Sequence, residues 1–347
     1  MDITIPTILA CLVTIVALTV ARHRRRSYLS PWNYGNLFFD ERERLFYDPV
    51  TRKNVPFPTS MIQNIDSKNV PQTRKSQDRV DLSVIVPAFN EELRLPHMMD
   101  EALDYLENRV KQSTHLKSKF IYEVIVVDDG STDQTTEKAL SYSEKYGTDK
   151  VRVLTLVKNR GKGGAVRMGV LASRGQRILF ADADGASKFS EIDKLDRYID
   201  TQLKLNSSLN QLIAIGSRSH LEKDAIATRS LFRTVLMKGF HYLVWSTCVR
   251  SVSDSQCGFK MFTRSAAYVL FNAYHNQSWA FDVELLYIAE RLGFTIGEIP
   301  ITWHEIEGSK IVPVFSWLKM GRDVVMIALS YFLGLYQIPQ PLKKTID

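Results

Sequence analysis

The chain has 347 residues, of which 45% are hydrophobic and 24% charged, a composition that argues against a disordered protein. Its net charge of +7 suits nucleic acid, an anionic membrane surface or phosphorylated ligands, and does not choose among them. Its three cysteines, Cys11, Cys248 and Cys257, lack the spacing of a zinc site or a disulfide framework, so a reducing, cytosol-facing environment is expected.

The first predicted element is a membrane anchor. Residues 3–21 carry no charge and are nearly all aliphatic, and the basic stretch RHRRR follows at residues 22–26. About 20 apolar residues span a bilayer as a helix. The alternatives are a buried helix or a cleaved signal peptide, but a signal peptide carries its positive charge before the apolar run. We therefore predict an uncleaved single-pass anchor over residues 1–26, with the chain after it in the cytosol.

Residues 27–79 are polar and contain five prolines, which predicts a juxtamembrane stem with little regular structure. The segment NLFFDERERLFYDPV within this stem is too aromatic for a pure linker, so part of it is expected to pack.

From residue 80 onward, short apolar runs alternate with segments of helical spacing. The runs are LSVIVPAFN, YEVIVVDDG, VRVLTLV, RILFADADG and LIAIGSR. Such alternation, with nearly continuous apolar strands, predicts a doubly wound, mostly parallel α/β sheet. Beyond residue 218 the sequence predicts two apolar helices, at residues 227–245 and 323–336, each of which is either a core helix or an interfacial helix on the membrane.

Polar side chains follow every predicted strand, and in a doubly wound sheet ligands bind beyond the carboxyl ends of the strands. These residues are Pro87, Asn90, Glu91, Asp128, Asp129, Lys158, Asn159, Arg160, Asp182, Asp184, Ser217 and Arg218.

Two of the strand ends suggest specific chemistry. Asp182 and Asp184 stand two residues apart, so both carboxylates can face Mg²⁺ or Mn²⁺, although an Asp-Gly turn that merely ends a strand is the plain alternative. The glycine-rich loop NRGKGGAVRMG is flanked by Lys158, Arg160 and Lys162, and it either neutralises a diphosphate or is only a turn. Together these groups suit a nucleotide diphosphate whose leaving group needs charge stabilisation.

The motifs VPAFNEE, VVDDGSTD, KNRGKGGAVRMG and DADG, in this order, resemble those of the inverting GT-A glycosyltransferases of family 2. DSQCGFKMFTR, WAFDVELLYIAERLG and WHEIEGSK are similar to segments of the dolichyl-phosphate β-glucosyltransferases of the endoplasmic reticulum, as are the anchor and YDPVTRKNVPFP. The first four motifs are shared by many sugar transferases, whereas the last three are more specific.

The resemblance implies a GT-A Rossmann-like sheet, a nucleotide-sugar half at residues 80–218, and an acceptor half with membrane-interface helices at residues 219–347. It implies UDP-glucose as donor, dolichyl phosphate as acceptor, Mg²⁺ or Mn²⁺ as metal, and a role in N-glycan precursor assembly at the cytosolic face of the endoplasmic reticulum membrane. The metal motif is Asp182 and Asp184. The resemblance assigns Pro87, Ala88, Phe89, Glu91, Asp128 and Asp129 to the uridine pocket. The other predicted substrate-binding residues of this half are Lys158, Arg160, Lys162, Gly163, Asp182 and Ala183.

The sequence departs from the family pattern at two positions. Related mannosyltransferases often have glutamine where this chain has Ala186, so no third protein ligand to the metal is expected. The family's usual arginine before WAFD is Ser278 here, which weakens any role for that position.

An acceptor phosphate is already ionised near neutral pH and needs no general base, but it needs cations beside it. The candidates are Arg218, Arg229, Arg233, Lys260 and Lys310, of which Arg218 and Lys310 are favoured because they lie in family motifs. Asp282 is expected to orient the sugar. Glu284 is expected to be an ordinary acidic residue in the first turn of a helix, where the helix dipole favours negative charge. The helix at residues 227–245 is predicted to face lipid through Leu231, Leu236, Phe240, Leu243 and Val244.

Two other functions stay open at this stage: a dolichyl-phosphate mannosyltransferase using GDP-mannose, and a membrane-tethered sugar-nucleotide-binding protein without catalysis. Nucleic-acid binding is disfavoured because the basic residues cluster by the anchor and at strand ends. The chain has no Q-x-x-R-W motif, so it does not resemble a processive polysaccharide synthase.

Overall fold

A computed structural model of the chain describes residues 40–57, 80–114, 119–206, 209–219, 231–304, 306 and 315–338. The predicted anchor at residues 1–26 lies outside these ranges, as does most of the predicted stem. Within the described ranges, none of the helices combines the length and the apolar character that crossing a bilayer requires.

The first described segment is a small antiparallel hairpin of β1 (Leu45–Asp48) and β2 (Lys53–Pro56), preceded by a 3-10 turn at Glu41–Arg44. Phe46 and Phe57 are buried, with ring centroids 5.2 Å apart, and the guanidinium of Arg152 lies over both rings. The prediction of little regular structure is therefore wrong for residues 40–57, because these two rings bury themselves against the main domain.

Seven further strands form the central sheet: β3 (Leu82–Ala88), β4 (Tyr122–Asp128), β5 (Val151–Thr155), β6 (Arg177–Ala181), β7 (Leu212–Ser217), β8 (Phe259–Thr263) and β9 (Thr295–Pro300). Their order is β5-β4-β3-β6-β8-β7-β9. Neighbouring strands are parallel except where β8 runs antiparallel to both β6 and β7. The predicted mostly parallel α/β sheet is confirmed. Since β8 and β9 belong to the same sheet, a division at residue 218 does not separate two sheets.

Helices cover both faces of the sheet. They are α1 (Leu95–Ser113), α2 (Thr135–Tyr146), α3 (Gly161–Ala172), α4 (Ile192–Leu205), α5 (Leu231–Thr247), α6 (Arg264–Ala273), α7 (Phe281–Arg291) and α8 (Phe315–Phe332). The core is split between the two faces: Val84 and Val86 of β3 pack with α1, α2 and α4, while Ile85 packs with α3. Burial on both faces explains why the strands are nearly continuous apolar runs.

The helices α5 and α8 pack against each other, and α8 also contacts α7. In α5, Phe240 and Val244 are buried in the core, whereas Tyr242 and Trp245 are exposed. The prediction that Phe240 and Val244 face lipid is therefore wrong, because residues four apart share one helix face and this face packs against the domain. Of the other residues in that prediction, Leu243 is half-buried, and the side chains of Leu231 and Leu236 lie outside the described part.

Candidate active site

Asp182 and Asp184 lie where β6 ends, beside the start of β8. The backbone N–H of Asp182 donates to the carbonyl of Gly258 at 3.0 Å, which ties the two strands together. Asp184 Oδ1 accepts the N–H of Ala186 at 3.0 Å, and Gly185 has a φ of +72°. The Asp-Gly turn therefore exists, and it brings both carboxylates to the edge of the sheet where the strands β3 to β6 end.

Lys162, in the first turn of α3, is a cation beside these carboxylates. Its Nζ lies 2.7 Å from Asp182 Oδ1 and 2.9 Å from Oδ2, and 5.5 Å from the ring centroid of Trp279. Burial alone would lower the pKa of Lys162, but the charges of Asp182 and Asp282 outweigh it and raise the pKa. The structure thus brings Lys162 and the metal motif together, as the sequence predicted.

The donor set fits a divalent cation. Burial, and then the charge of Asp182, raise the pKa of Asp184, so negative charge on both carboxylates at once is disfavoured. A hard divalent ion offsets this negative charge and prefers carboxylate oxygens. In the part of the chain that the structure describes, no group of three or more His, Cys, Asp or Glu residues is arranged to hold a metal. Diphosphate oxygens and water would therefore complete the coordination of an ion held by Asp182 and Asp184.

Asp282 and Lys260 form a buried ion pair next to this edge. Lys260 Nζ lies 2.7 Å from Asp282 Oδ1 and donates to the carbonyl of Cys257 at 2.5 Å. Burial raises the pKa of Asp282, and the charges of Lys260 and Lys162 oppose that shift. Lys260 is fully buried, so its predicted place among the membrane-side cations is wrong: its charge is matched by Asp282 inside the fold. Asp282 is likewise only 2% exposed, and its ion pair connects α7 to β8; its role in orienting the sugar stays a prediction.

The two acids that end β4 bind loops of the protein. Asp128 Oδ1 accepts the N–H of Ser131 at 2.9 Å, and its other oxygen accepts the hydroxyl of Thr136. Asp129 accepts the N–H groups of Arg160 and Gly161 at 2.6 and 2.9 Å, and burial raises its pKa to about 6. The exposed fractions of Asp128 and Asp129 are 1% and 3%, so both carboxylates are engaged within the fold.

The loop after β3 supplies an apolar surface. Phe89 is 37% exposed, Pro87 is half-buried and Ala88 is buried. Glu91 forms an ion pair with Arg94 at 2.6 Å. The predicted uridine-binding residues of this loop are thus neighbours, and Phe89 is the member that offers the most surface to a ligand.

The glycine-rich loop has a different role from the one predicted. The guanidinium of Arg160 lies 2.5 Å from Glu43 in the turn before β1, and the other oxygen of Glu43 accepts the N–H of Val157 at 3.0 Å. A Cβ at Gly163 would lie 2.6 Å from the Cβ of Phe281, so this glycine permits close packing. The expectation that Arg160 and Gly163 face a diphosphate is therefore corrected, whereas Lys158 is exposed and Ala183 is buried beside the metal motif.

Arg218 follows β7 and forms a bidentate ion pair. Its Nε and Nη2 lie 2.8 Å from Oδ2 and Oδ1 of Asp254, and its guanidinium carbon is 5.4 Å from the ring centroid of Trp303. Burial would lower the pKa of Arg218, but Asp254 raises it. The side chain of Arg218 remains 33% exposed. Arg229, Lys310 and the side chain of Arg233 lie outside the described part of the chain.

The sequence did not predict the roles of four residues at or near this site. Gly258 makes room for Asp182, and Asp254 pairs with Arg218. Glu43 holds the glycine-rich loop, and Glu284 binds the loop before α7. Gly258 and Asp254 lie in the motif DSQCGFKMFTR, but nothing local in that motif identifies their partners.

Comparison with known proteins gives consistent matches. The family model described as "Glycosyl transferase family 2" matches residues 83–271. The chain is 58% identical to the dolichyl-phosphate beta-glucosyltransferase of Homo sapiens over 263 residues, covering 76% of this chain and 79% of that one. It is 51% identical to the protein of that name from Drosophila melanogaster, covering 90% and 89% of the two chains, and 41% identical to that from Saccharomyces cerevisiae, covering 78% and 81%.

Among solved structures, the chain is similar to glucosyl-3-phosphoglycerate synthase from Mycobacterium tuberculosis, crystallised with Mn²⁺, UDP-glucose and phosphoglyceric acid. The TM-score is 0.49 at 19% identity, covering 75% of this chain and 81% of that one.

Proposed function

Because the chain belongs to glycosyl transferase family 2 and, within it, to the dolichyl-phosphate β-glucosyltransferases, we propose that the edge of the sheet around Asp182 is its active site. The chain transfers glucose to dolichyl phosphate, a step in the assembly of the N-glycan precursor. UDP-glucose is the proposed donor. The observation that supports the site most directly is the meeting of Asp182, Asp184 and Lys162 at one strand end.

Asp182 and Asp184 would hold Mg²⁺ or Mn²⁺, which when bound supplies positive charge to the diphosphate leaving group. Lys162 places a further cation at the same point, where negative charge grows on that leaving group. The 37% exposed ring of Phe89 is proposed to contact the nucleotide, and Trp279, 41% exposed, lies beside Lys162.

The reaction needs little proton chemistry. An oxygen of the acceptor phosphate forms a bond to C1 of glucose, and the bond from C1 to the diphosphate oxygen breaks, so UDP leaves with that electron pair. The acceptor is ionised near neutral pH, so no general base is required. Attack opposite to the leaving group inverts the configuration and produces the β-linked lipid.

Arg218 is the proposed cation for the acceptor phosphate. It lies at the end of β7, is one-third exposed beside Trp303, and is held in place by Asp254. Arg218→Ala should weaken the use of dolichyl phosphate far more than it weakens UDP-glucose binding. Titrating the rate with acceptor, and measuring donor affinity by calorimetry, separates the two effects. A collapse of donor affinity with an unchanged acceptor dependence would place Arg218 in the nucleotide site.

The exposed face of α5 and α8 is the proposed contact with the bilayer. Its exposed residues include Tyr242, Trp245, Leu318 and Phe332, with exposed fractions of 68%, 53%, 64% and 85%. Aromatic residues of this kind favour the headgroup region, where the acceptor phosphate also lies. Brominated lipids should quench the fluorescence of the full chain, and Trp245→Phe should lose part of that quenching. Equal quenching of the two proteins would exclude this contact. Self-association in solution that buries this face would exclude it as well.

We propose that the protein lies at the endoplasmic reticulum membrane, held by a single N-terminal anchor, with its catalytic domain in the cytosol. The family, the basic stretch after the apolar run and the free cysteines support this placement.

The decisive experiment supplies the purified full chain with dolichyl phosphate and either radiolabelled UDP-glucose or radiolabelled GDP-mannose. Label should enter the lipid from UDP-glucose only, and EDTA should stop the transfer. Transfer of mannose would make the chain a mannosyltransferase. Binding of UDP-glucose without transfer, under conditions in which a known enzyme of this family is active, would make it a binding protein.

A further inference from the structure

Glu284 is a fully buried acid whose hydrogen bonds reach two separate parts of the chain. Its oxygens accept the backbone N–H groups of His275 and Asn276 at 2.9 and 2.7 Å, and Oε1 lies 3.0 Å from Nδ1 of His275. The hydroxyl of Tyr331 donates to Oε1 at 3.0 Å. Burial would raise the pKa of Glu284, but its hydrogen bonds with His275 and Asn276 hold the pKa below its ordinary value. The prediction that Glu284 is only a helix-starting acid is therefore incomplete.

One group of partners belongs to α8 and the turn that follows it. Tyr331 lies in the last turn of α8, next to Phe332 on the exposed face. The ring of His275 stacks on Tyr336 with centroids 3.8 Å apart and an interplanar angle of 6°. The proposed membrane helix is thus bound at its C-terminal end to the segment between α6 and α7.

That segment, residues 274–280, also lies against the first turn of α3. The hydroxyl of Tyr274 donates to the carbonyl of Gly163 at 2.6 Å, and the N–H of Gly164 donates to the carbonyl of Gln277 at 3.1 Å. A Cβ at Gly161 would lie 2.6 Å from the same carbonyl of Gln277, so helix and segment are in close contact. Lys162, which lies between these glycines, is therefore placed by the segment that Glu284 holds.

We propose that Glu284 is a positioning residue that links the C-terminal end of α8 to Lys162 and the metal motif through residues 274–280. This inference rests on the proposed function, because it takes α8 to be the membrane helix and Lys162 to act on the diphosphate. A buried carboxylate suits the role, since it accepts several hydrogen bonds at once and a buried charged group that loses a partner is costly to leave unsatisfied.

Tyr331→Phe tests the link with the smallest change, because it removes one hydroxyl and keeps the ring. Tyr287→Phe is the matched control: its ring is 4.7 Å from that of Tyr331, and its hydroxyl makes no hydrogen bond within the described ranges. Two measurements on the full chain in lipid nanodiscs are compared. One is amide hydrogen exchange over residues 274–280, and the other is kcat and KM for both substrates.

Tyr331→Phe should speed exchange at His275 and Asn276 by about tenfold, since a hydrogen bond to a charged group is lost. It should lower kcat by roughly three- to tenfold and leave both KM values within about twofold, because a displaced Lys162 weakens the transition state more than substrate binding. Tyr287→Phe should change neither quantity. Unchanged exchange in Tyr331→Phe would overturn the link, and so would faster exchange with an unchanged kcat.

Glu284→Gln gives a second test. It keeps the size of the side chain but removes the charge, so it should speed amide exchange and lower kcat more than Tyr331→Phe does. Exchange rates equal to those of the wild type would overturn the proposal. The exchange measurement needs no transfer activity. A wild-type chain that transfers no glucose would therefore count against the proposed function, while exchange would still decide whether Glu284 couples α8 to residues 274–280.

Discussion

Gly258→Ala is expected to destroy activity while leaving the fold intact. An added Cβ would lie 2.7 Å from Oδ1 of Asp182, and closer still to Oδ2 and Cγ. Carbon and oxygen atoms ordinarily keep about 3.3–3.6 Å apart, so the carboxylate must retreat by roughly 1 Å or more. The side chain of Asp182 is 32% exposed and can rotate away, so the carboxylate moves and the backbone does not.

The size of the effect follows from that displacement. A shift of about 1 Å in a group that positions the reacting atoms costs on the order of 100-fold in rate, so kcat/KM should fall by that factor. Overpacking lowers the free energy of unfolding by about 1–3 kcal/mol. Replacing glycine by alanine also reduces the conformational entropy of the unfolded chain, which raises the free energy of unfolding by about 0.4–1 kcal/mol. The melting temperature should therefore fall by only a few degrees. Gly239→Ala is the control, because a Cβ at Gly239 meets nothing within 4 Å.

Three measurements decide the matter: glucose transfer from labelled UDP-glucose, Mn²⁺ affinity by electron paramagnetic resonance, and thermal unfolding. Both activity and Mn²⁺ affinity should fall in Gly258→Ala and remain unchanged in Gly239→Ala. If Gly258→Ala kept the wild-type rate and Mn²⁺ affinity, Asp182 would not belong to the metal site. If the variant unfolded, the view that only the carboxylate moves would be refuted.

Asp184→Ala should lower transfer by at least about 100-fold with a near-normal melting curve, since the leaving group loses its counter-charge; activity that persists in EDTA would contradict this. For Asp129, burial raises the folded-state pKa from 3.8 to about 6, so its contribution to the free energy of unfolding decreases as pH rises through that interval. Urea unfolding of Asp129→Asn at several pH values should lack this decrease, and an unchanged pH dependence would reject the assignment. The sequons at Asn206 and Asn276 should stay unmodified in the authentic host, and a glycosidase-sensitive size shift would reverse the proposed topology.

Much of the sheet could be predicted because its strands have a recognisable sequence pattern. β3, β4 and β6 are largely apolar runs followed by polar residues, and that pattern is typical of parallel strands buried on both faces. The meeting of Asp182, Asp184 and Lys162 followed from the same rule, since the strands before them end at one edge.

The remaining features depend on partners that are distant in sequence. The second residue of β8 is Lys260, a charge that argues against a buried strand until its pairing with Asp282 is known. Glu284 is indistinguishable from an ordinary helix-starting acid until Tyr331, 47 residues further on, is found beside it. The hairpin of β1 and β2 is too short to be stable alone, and it persists because Phe46 is buried against the domain.

The antiparallel direction of β8 explains why the two halves of the chain meet at the metal motif. β8 pairs with β6 so that Ala181, the last residue of one strand, lies opposite Phe259, the first residue of the other. The loop before β8 therefore enters at the edge where β6 ends, and it brings Gly258 against Asp182 and Asp254 against Arg218. If β8 ran parallel to β6, this loop would lie at the opposite edge of the sheet. One reversed strand thus brings the segment that follows α5 to the carboxylates that would bind the donor's metal.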